Sequence, residues 1–167
     1  MHHHRNFSSS IPFLLFLALL FGLLGARTAS AQTACPFTIV GTLTASDLAS
    51  SGPRLQRDGN PSVCGAAKAY PGTTGGSAVR NYDLYTIANT SDAPQCVSAT
   101  VVGGSTSATN TVFLMAYSSF NPNDMSAGYV ADSGKASNGD AITMGLTLAP
   151  HTTVQLVVQS FNAASSD

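Results

Sequence analysis

The chain has 167 residues, a formal net charge of −1, only 9% charged residues and no tryptophan. After Ala31 it keeps five cations (Arg54, Arg57, Lys68, Arg80 and Lys135) against eight Asp, and it has no Glu anywhere. That balance argues against a nucleic-acid binder, which needs clustered Lys and Arg against phosphate, and it excludes any mechanism that requires a glutamate.

Ile11 to Leu24 is an apolar run of 14 residues, preceded by Arg5 and followed by Ala29-Ser30-Ala31. This is the pattern of a secretory signal peptide over residues 1–31, with cleavage after Ala31. The run falls short of the roughly 20 residues of a membrane-spanning helix, and nothing after Ala31 is long and apolar enough for one. The sequence thus predicts an exported protein, secreted or held at the cell surface, with residues 32–167 as a single domain. A chain of that size buries about two thirds of its unfolded surface, enough for a real core. Gln32-Thr33-Ala34 lacks the large aliphatic residue usual three positions before a lipidated cysteine, which argues against an anchor at Cys35. His2-His3-His4 lies in the segment removed and carries no functional argument.

Beyond the leader, Thr, Ser, Gly, Asn and Val dominate, a composition that favours strands and turns over helices. Phe37, Ile39 and Leu43 alternate with Thr38 and Thr42, predicting a first strand over Phe37–Leu43. From Asp47 to Ala78 no period is sustained, and Gly52-Pro53, Asp58-Gly59, Asn60-Pro61, Pro71-Gly72 and Gly75-Gly76 break the chain. This reads as a long ordered loop, with room for one helical turn within Asp47–Leu55. Strands follow at Tyr82–Ala88 and Gln95–Val102. Thr111–Tyr117 is apolar at successive positions, as expected of a strand covered on both faces. Gly128–Ala131 is a short strand candidate. After the Asn138-Gly139 turn signal, Ile142, Met144, Leu146 and Leu148 alternate with Thr143, Gly145 and Thr147, and Val154, Leu156 and Val158 alternate with Gln155 and Gln159. About seven or eight short strands with frequent turns predict an all-β fold: an antiparallel, jelly-roll-like sandwich of two sheets.

Cys35, Cys64 and Cys96 form an odd set in a chain destined for an oxidising compartment. With no CxxC element and a single His after Ala31, zinc is a poor fit. One bridge closing a loop of about 30 residues is worth roughly 3–4 kcal/mol in the chain-entropy picture. Spacing alone allows three pairings. Cys35–Cys64 is favoured, because Gly59, Pro61 and Gly65 let the intervening loop fold back.

Phe37-Thr38-Ile39-Val40-Gly41-Thr42-Leu43, Arg57-Asp58-Gly59-Asn60-Pro61-Ser62-Val63-Cys64, Tyr82-Asp83-Leu84-Tyr85, Cys96-Val97 and Gly128-Tyr129-Val130-Ala131-Asp132-Ser133-Gly134 follow one another in a familiar order. Together they resemble exported bacterial β-sandwich domains related to the pre-peptidase C-terminal type, modules of extracellular enzymes and surface proteins. The resemblance implies a further cysteine and a Tyr-containing strand after the final strand, where this chain has Phe161 to Asp167. It therefore implies that Cys96 seeks a partner beyond Asp167 and that one sheet is a strand short. An unfilled strand position is a template for self-association by strand addition.

Asn121, Asn123, Asp124, Asp132, Asn138 and Asp140 offer oxygen ligands of the kind calcium takes, and the related domains sometimes carry calcium. Asp124, Asp132 and Asp140 are the metal candidates, although Asx residues serve turns in the same way. No other cofactor is called for. His151 lacks a GxSxG-type elbow to complete a hydrolytic triad, and the Asp residues, in turn contexts with no Trp platform, do not read as a glycosidase pair. Arg57 and Asp83 are expected to form a structural ion pair. Of the tyrosines, Tyr70 and Tyr129 lie in turn-rich sequence and are the ligand candidates, for an extracellular polymer, glycan or protein. The chain thus reads as a non-catalytic binding or attachment module, with a calcium-assisted carbohydrate- or matrix-binding domain, a small secreted hydrolase and a self-assembling structural role as the alternatives.

Overall fold

The computed structural model describes residues 38–103 and 111–161. Every described strand lies within the unit Gly41–Asp167. The leader expected at residues 1–31, with Cys35 and Phe37, lies outside the described residues.

Among the described residues the fold is all-β, with nine strands and no helix: β1 (Leu48–Ser51), β2 (Arg54–Leu55), β3 (Thr73–Thr74), β4 (Val79–Ala88), β5 (Gln95–Val102), β6 (Val112–Tyr117), β7 (Tyr129–Asp132), β8 (Ala141–Leu148) and β9 (Thr153–Ser160). All pairings are antiparallel. Five strands make the main sheet in the order β1-β4-β9-β6-β7, β5 and β8 make a second sheet, and β2 and β3 form a short ribbon.

The period-two sequences explain the layers. On β8, Ile142, Met144, Leu146 and Leu148 are buried while Ala141, Thr143 and Thr147 face out. Val97, Ala99 and Val101 of β5 point the same way, and both strands close over Leu114, Ala116, Val154 and Leu156 of the main sheet. β6 is apolar at every position because it is covered twice. Its Leu114 and Ala116 face this first core, whereas Phe113, Met115 and Tyr117 face a second core on the opposite side, built with Tyr82, Val157, Leu55 and Met125. Strands β4 to β9 thus follow the sequence reading closely.

The N-terminal part of the fold departs from the sequence expectation. Residues 38–44 form no strand, and the strand that pairs with the first half of β4 is β1, inside the stretch read as loop or helical turn. β1 has no apolar period because polar bonds hold it. The Gln159 Nε2 donates to Ser50 Oγ at 2.8 Å, Asn81 Nδ2 donates to the Asp47 carbonyl at 3.2 Å, and Ser50, Asn81 and Gln159 are all buried.

Candidate functional site

The loop between β2 and β3 is unusually long for a compact sandwich, and its course is set by three attachments. At its middle, Ser62 joins the two sheets. Its N–H donates to the Asp132 carbonyl on β7 at 2.9 Å, its hydroxyl accepts the Asp132 N–H at 3.0 Å, and its carbonyl accepts the Gly145 N–H on β8 at 2.8 Å. Two glycines make the approach feasible. A Cβ on Gly145 would stand 3.0 Å from the Cys64 nitrogen, and one on Gly134 would stand 2.4 Å from the Asn60 carbonyl carbon.

The second attachment is covalent. Cys64 is bonded to Cys96 on β5, with Cα atoms 5.6 Å apart. This replaces the expected Cys35–Cys64 bridge, and Cys96 needs no partner beyond Asp167. The reason is the path of the loop: it crosses the outer face of the small sheet at Gly145, beside the exposed Cys96. A glycine inside the otherwise regular β8 alternation was the signal for such a crossing.

The third attachment is the Lys68 ammonium, which sits 2.9 Å from Asp132 and 2.9 Å from Asp58 and also donates to the Asn60 carbonyl. Asp132 is fully buried and further accepts the Tyr129 hydroxyl proton and the Gly134 N–H. The bond from Lys68 holds the Asp58 carboxyl below its ordinary range. Burial, reinforced by the bond to Asp132, raises Tyr129 well above the usual phenol range, and burial alone does most of the same for Tyr117.

The candidate residues are distributed as follows. Asp132 is the anion of the Lys68 pair. Asp124 is exposed and caps its own turn, accepting from Ser126 N–H at 3.0 Å and Ser126 O–H at 2.6 Å. Asp140 is exposed, and its carbonyl accepts the Ser137 hydroxyl at 2.6 Å. The three are not brought together, and no group of three or more His, Cys, Asp or Glu is gathered among the described residues. Tyr70 and Tyr129 are brought together, edge to face with ring centroids 5.4 Å apart, but both are half-buried, and Tyr129 continues into Tyr117 and Phe120. They form the rim of the second core. His151 lies in the β8–β9 turn at a φ of 54°, its ring 2.8 Å from the exposed Asp92. Arg57 does not pair with Asp83: its guanidinium lies over the Phe161 ring, and Asp83 accepts the Tyr85 hydroxyl at 3.2 Å. Ser62 and Lys68 escaped the sequence reading. For Lys68 a signal existed, since eight Asp among five cations require the few Lys and Arg to serve any buried carboxylate.

No family model, curated protein or solved structure matches the chain.

Proposed function

We propose that the chain is an exported, non-catalytic β-sandwich module that acts by binding or attachment, through the loop over residues 56–72 and the surface beside it. The observation that carries this reading is the threefold fastening of that loop, by Ser62, by the Cys64–Cys96 bond and by Lys68 on Asp132. Loops fixed on a rigid sheet scaffold are the usual bearers of binding residues. A disulfide persists in oxidising compartments, in keeping with the export pattern of residues 1–31, and the resemblance to pre-peptidase C-terminal domains supports the same role. The partner is an extracellular polymer, glycan or protein. Several described groups that hydrolysis would recruit are engaged with neighbours: Asp132 and Asp58 with Lys68, Asp124 in its turn, and His151 with Asp92 on an exposed loop. A panel of extracellular polymers, assayed both for retention and for breakdown, tests the reading. Saturable retention without turnover supports it, and turnover of any polymer overturns it.

A second reading is favoured by β5. This strand is eight residues long, carries no charge and no proline, and borders its sheet on one side, with β8 its partner among the described residues. Such an edge is a template for strand addition by a second copy. Sedimentation over a wide concentration range tests it: a dimer weakened by Thr100→Lys supports self-association, and monomer throughout ends it.

A further inference from the structure

Three of the five cations that follow the leader meet at one end of the main sheet, around Phe161. The guanidinium carbons of Arg54 on β2 and Arg57 in the loop lie 4.3 Å and 4.2 Å from the Phe161 ring centroid. Arg80 of β4 reaches the same place, donating from Nε to the Phe161 carbonyl at 3.3 Å. A Cβ on Gly75 would stand 3.4 Å from Arg80 Nη2 and 3.7 Å from Arg54 Nε, so these two cations flank a single glycine.

None of the three has a carboxylate partner among the described residues, where the ion pairs are those of Lys68 and His151. Arg80 is buried and its hydrogen bonds among the described residues all go to backbone, the others being to the carbonyls of Gly52 at 2.9 Å, Ala78 at 3.0 Å and Gly75 at 3.2 Å. Its role is structural, and its charge has no carboxylate partner among the described residues. Arg54 makes one long bond, from Nη1 to the Leu55 carbonyl at 3.5 Å, and Arg57 is exposed, with the ring as its contact. An aromatic ring attracts a cation through its π face, while a guanidinium forms hydrogen bonds through the N–H groups in its own plane. The ring therefore orients Arg54 and Arg57 without consuming their donors. Burial, and after it the charges of Arg57 and Arg80, lower the Arg54 pKa, in keeping with the gathering of these cations.

We infer that Arg54 and Arg57, set on Phe161 beside Arg80, form a binding site for an oxyanion: the carboxylate or sulfate groups of an acidic extracellular polysaccharide. The inference rests on the binding-module reading and gives its ligand a chemistry. Guanidinium forks match carboxylate and sulfate oxygens, by charge-assisted bonds stronger than neutral ones. One exposed anion binds such a site weakly, whereas a polymer engages it repeatedly along its length. Duplex DNA is disfavoured as the polyanion, because following its phosphate track takes many clustered Lys and Arg, whereas the three arginines gathered here match one or two anionic groups.

Affinity electrophoresis of the full exported protein through gels containing polygalacturonate, dextran sulfate, neutral dextran or a duplex DNA oligomer tests this. Arg57→Gln and Arg54→Gln serve as variants, with thermal melts to show that each is folded, and Arg54→Lys and Arg57→Lys keep the charge without the fork. Retardation by polygalacturonate or by dextran sulfate, with affinity falling on the order of tenfold in the Gln variants and partly retained in the Lys variants, supports the site. Whichever acidic gel retards more identifies the anion as carboxylate or sulfate. Equal retardation by neutral dextran, unchanged in the folded Gln variants, overturns the arginine site but leaves the binding-module reading standing. Stronger retardation by DNA overturns the glycan assignment, and retardation in no gel overturns the site altogether.

Discussion

The Lys68 ammonium lies 2.9 Å from Asp132, whose carboxylate is fully buried, and the contact ties a loop residue to an edge strand 64 positions later in the chain. Breaking a buried pair by removing one partner leaves an uncompensated charge and typically costs about 3–5 kcal/mol, whereas removing both partners costs much less. Lys68→Met is therefore expected to lose several kcal/mol in urea titration, and Lys68→Met with Asp132→Leu to recover a large part of the loss. A double variant as unstable as the sum of the singles would show that the two residues act independently.

Asp58 shares the same ammonium, and its carboxyl is held below the ordinary range chiefly by that bond. A depressed folded pKa stabilises above the unfolded pKa and is lost as pH falls through the folded value. The melting temperature should thus decline as pH drops below about 4. In Asp58→Asn the decline should be shallower, with a lower plateau at neutral pH. The effect is modest because Asp58 is partly solvated.

The disulfide gives a chemical test of the loop path. Non-reduced peptide mapping should recover the Cys64 and Cys96 peptides joined, with Cys35 in neither. Cys64→Ser with Cys96→Ser is expected to lose about 3–4 kcal/mol, since the bond closes a span of 32 residues. A Cys35–Cys64 peptide would contradict the crossing over Gly145.

Two glycines of positive φ separate backbone strain from steric contact. Gly59 has a φ of 79° and open space at its Cβ position, so Gly59→Ala should cost about 1 kcal/mol. Gly134 has a φ of 66° and Asn60 backbone atoms within 2.7 Å of that position, so Gly134→Ala should cost at least about 2 kcal/mol and loosen the loop. The converse applies at His151, a side chain held in the left-handed region. His151→Gly should raise stability by about 0.5–1 kcal/mol, since the exposed Asp92 contact contributes little.

What was legible in the sequence was whatever a local period could express. The alternation of Ile142 to Leu148 marked a strand half in the core, and the unbroken apolar run of β6 marked one with a core on each side. β1 was invisible because Ser50, Asn81 and Gln159 bury polar groups that satisfy one another, and hydrophobicity does not report that. The exposed segment before it, by contrast, carries the alternation of a strand and forms none among its described residues. The site eluded local reading for a related reason. Lys68 and Asp132, Cys64 and Cys96, and Arg57 and Phe161 are far apart in the chain and meet only once the sheets have formed. The turn chemistry of Asp124 was readable as either metal ligation or an Asx turn, and its bonds to Ser126 show the turn.

The proposed role of the loop over residues 56–72 as a rigid binding surface stands or falls on polymer retention by the wild-type protein compared with a folded Cys64→Ser, Cys96→Ser variant at low temperature. The wild type should be retained by at least one extracellular polymer without degrading it, and removing the covalent one of the loop's three attachments should weaken retention on the order of tenfold. Undiminished retention in the variant, or retention of neither protein, would refute that role for the loop.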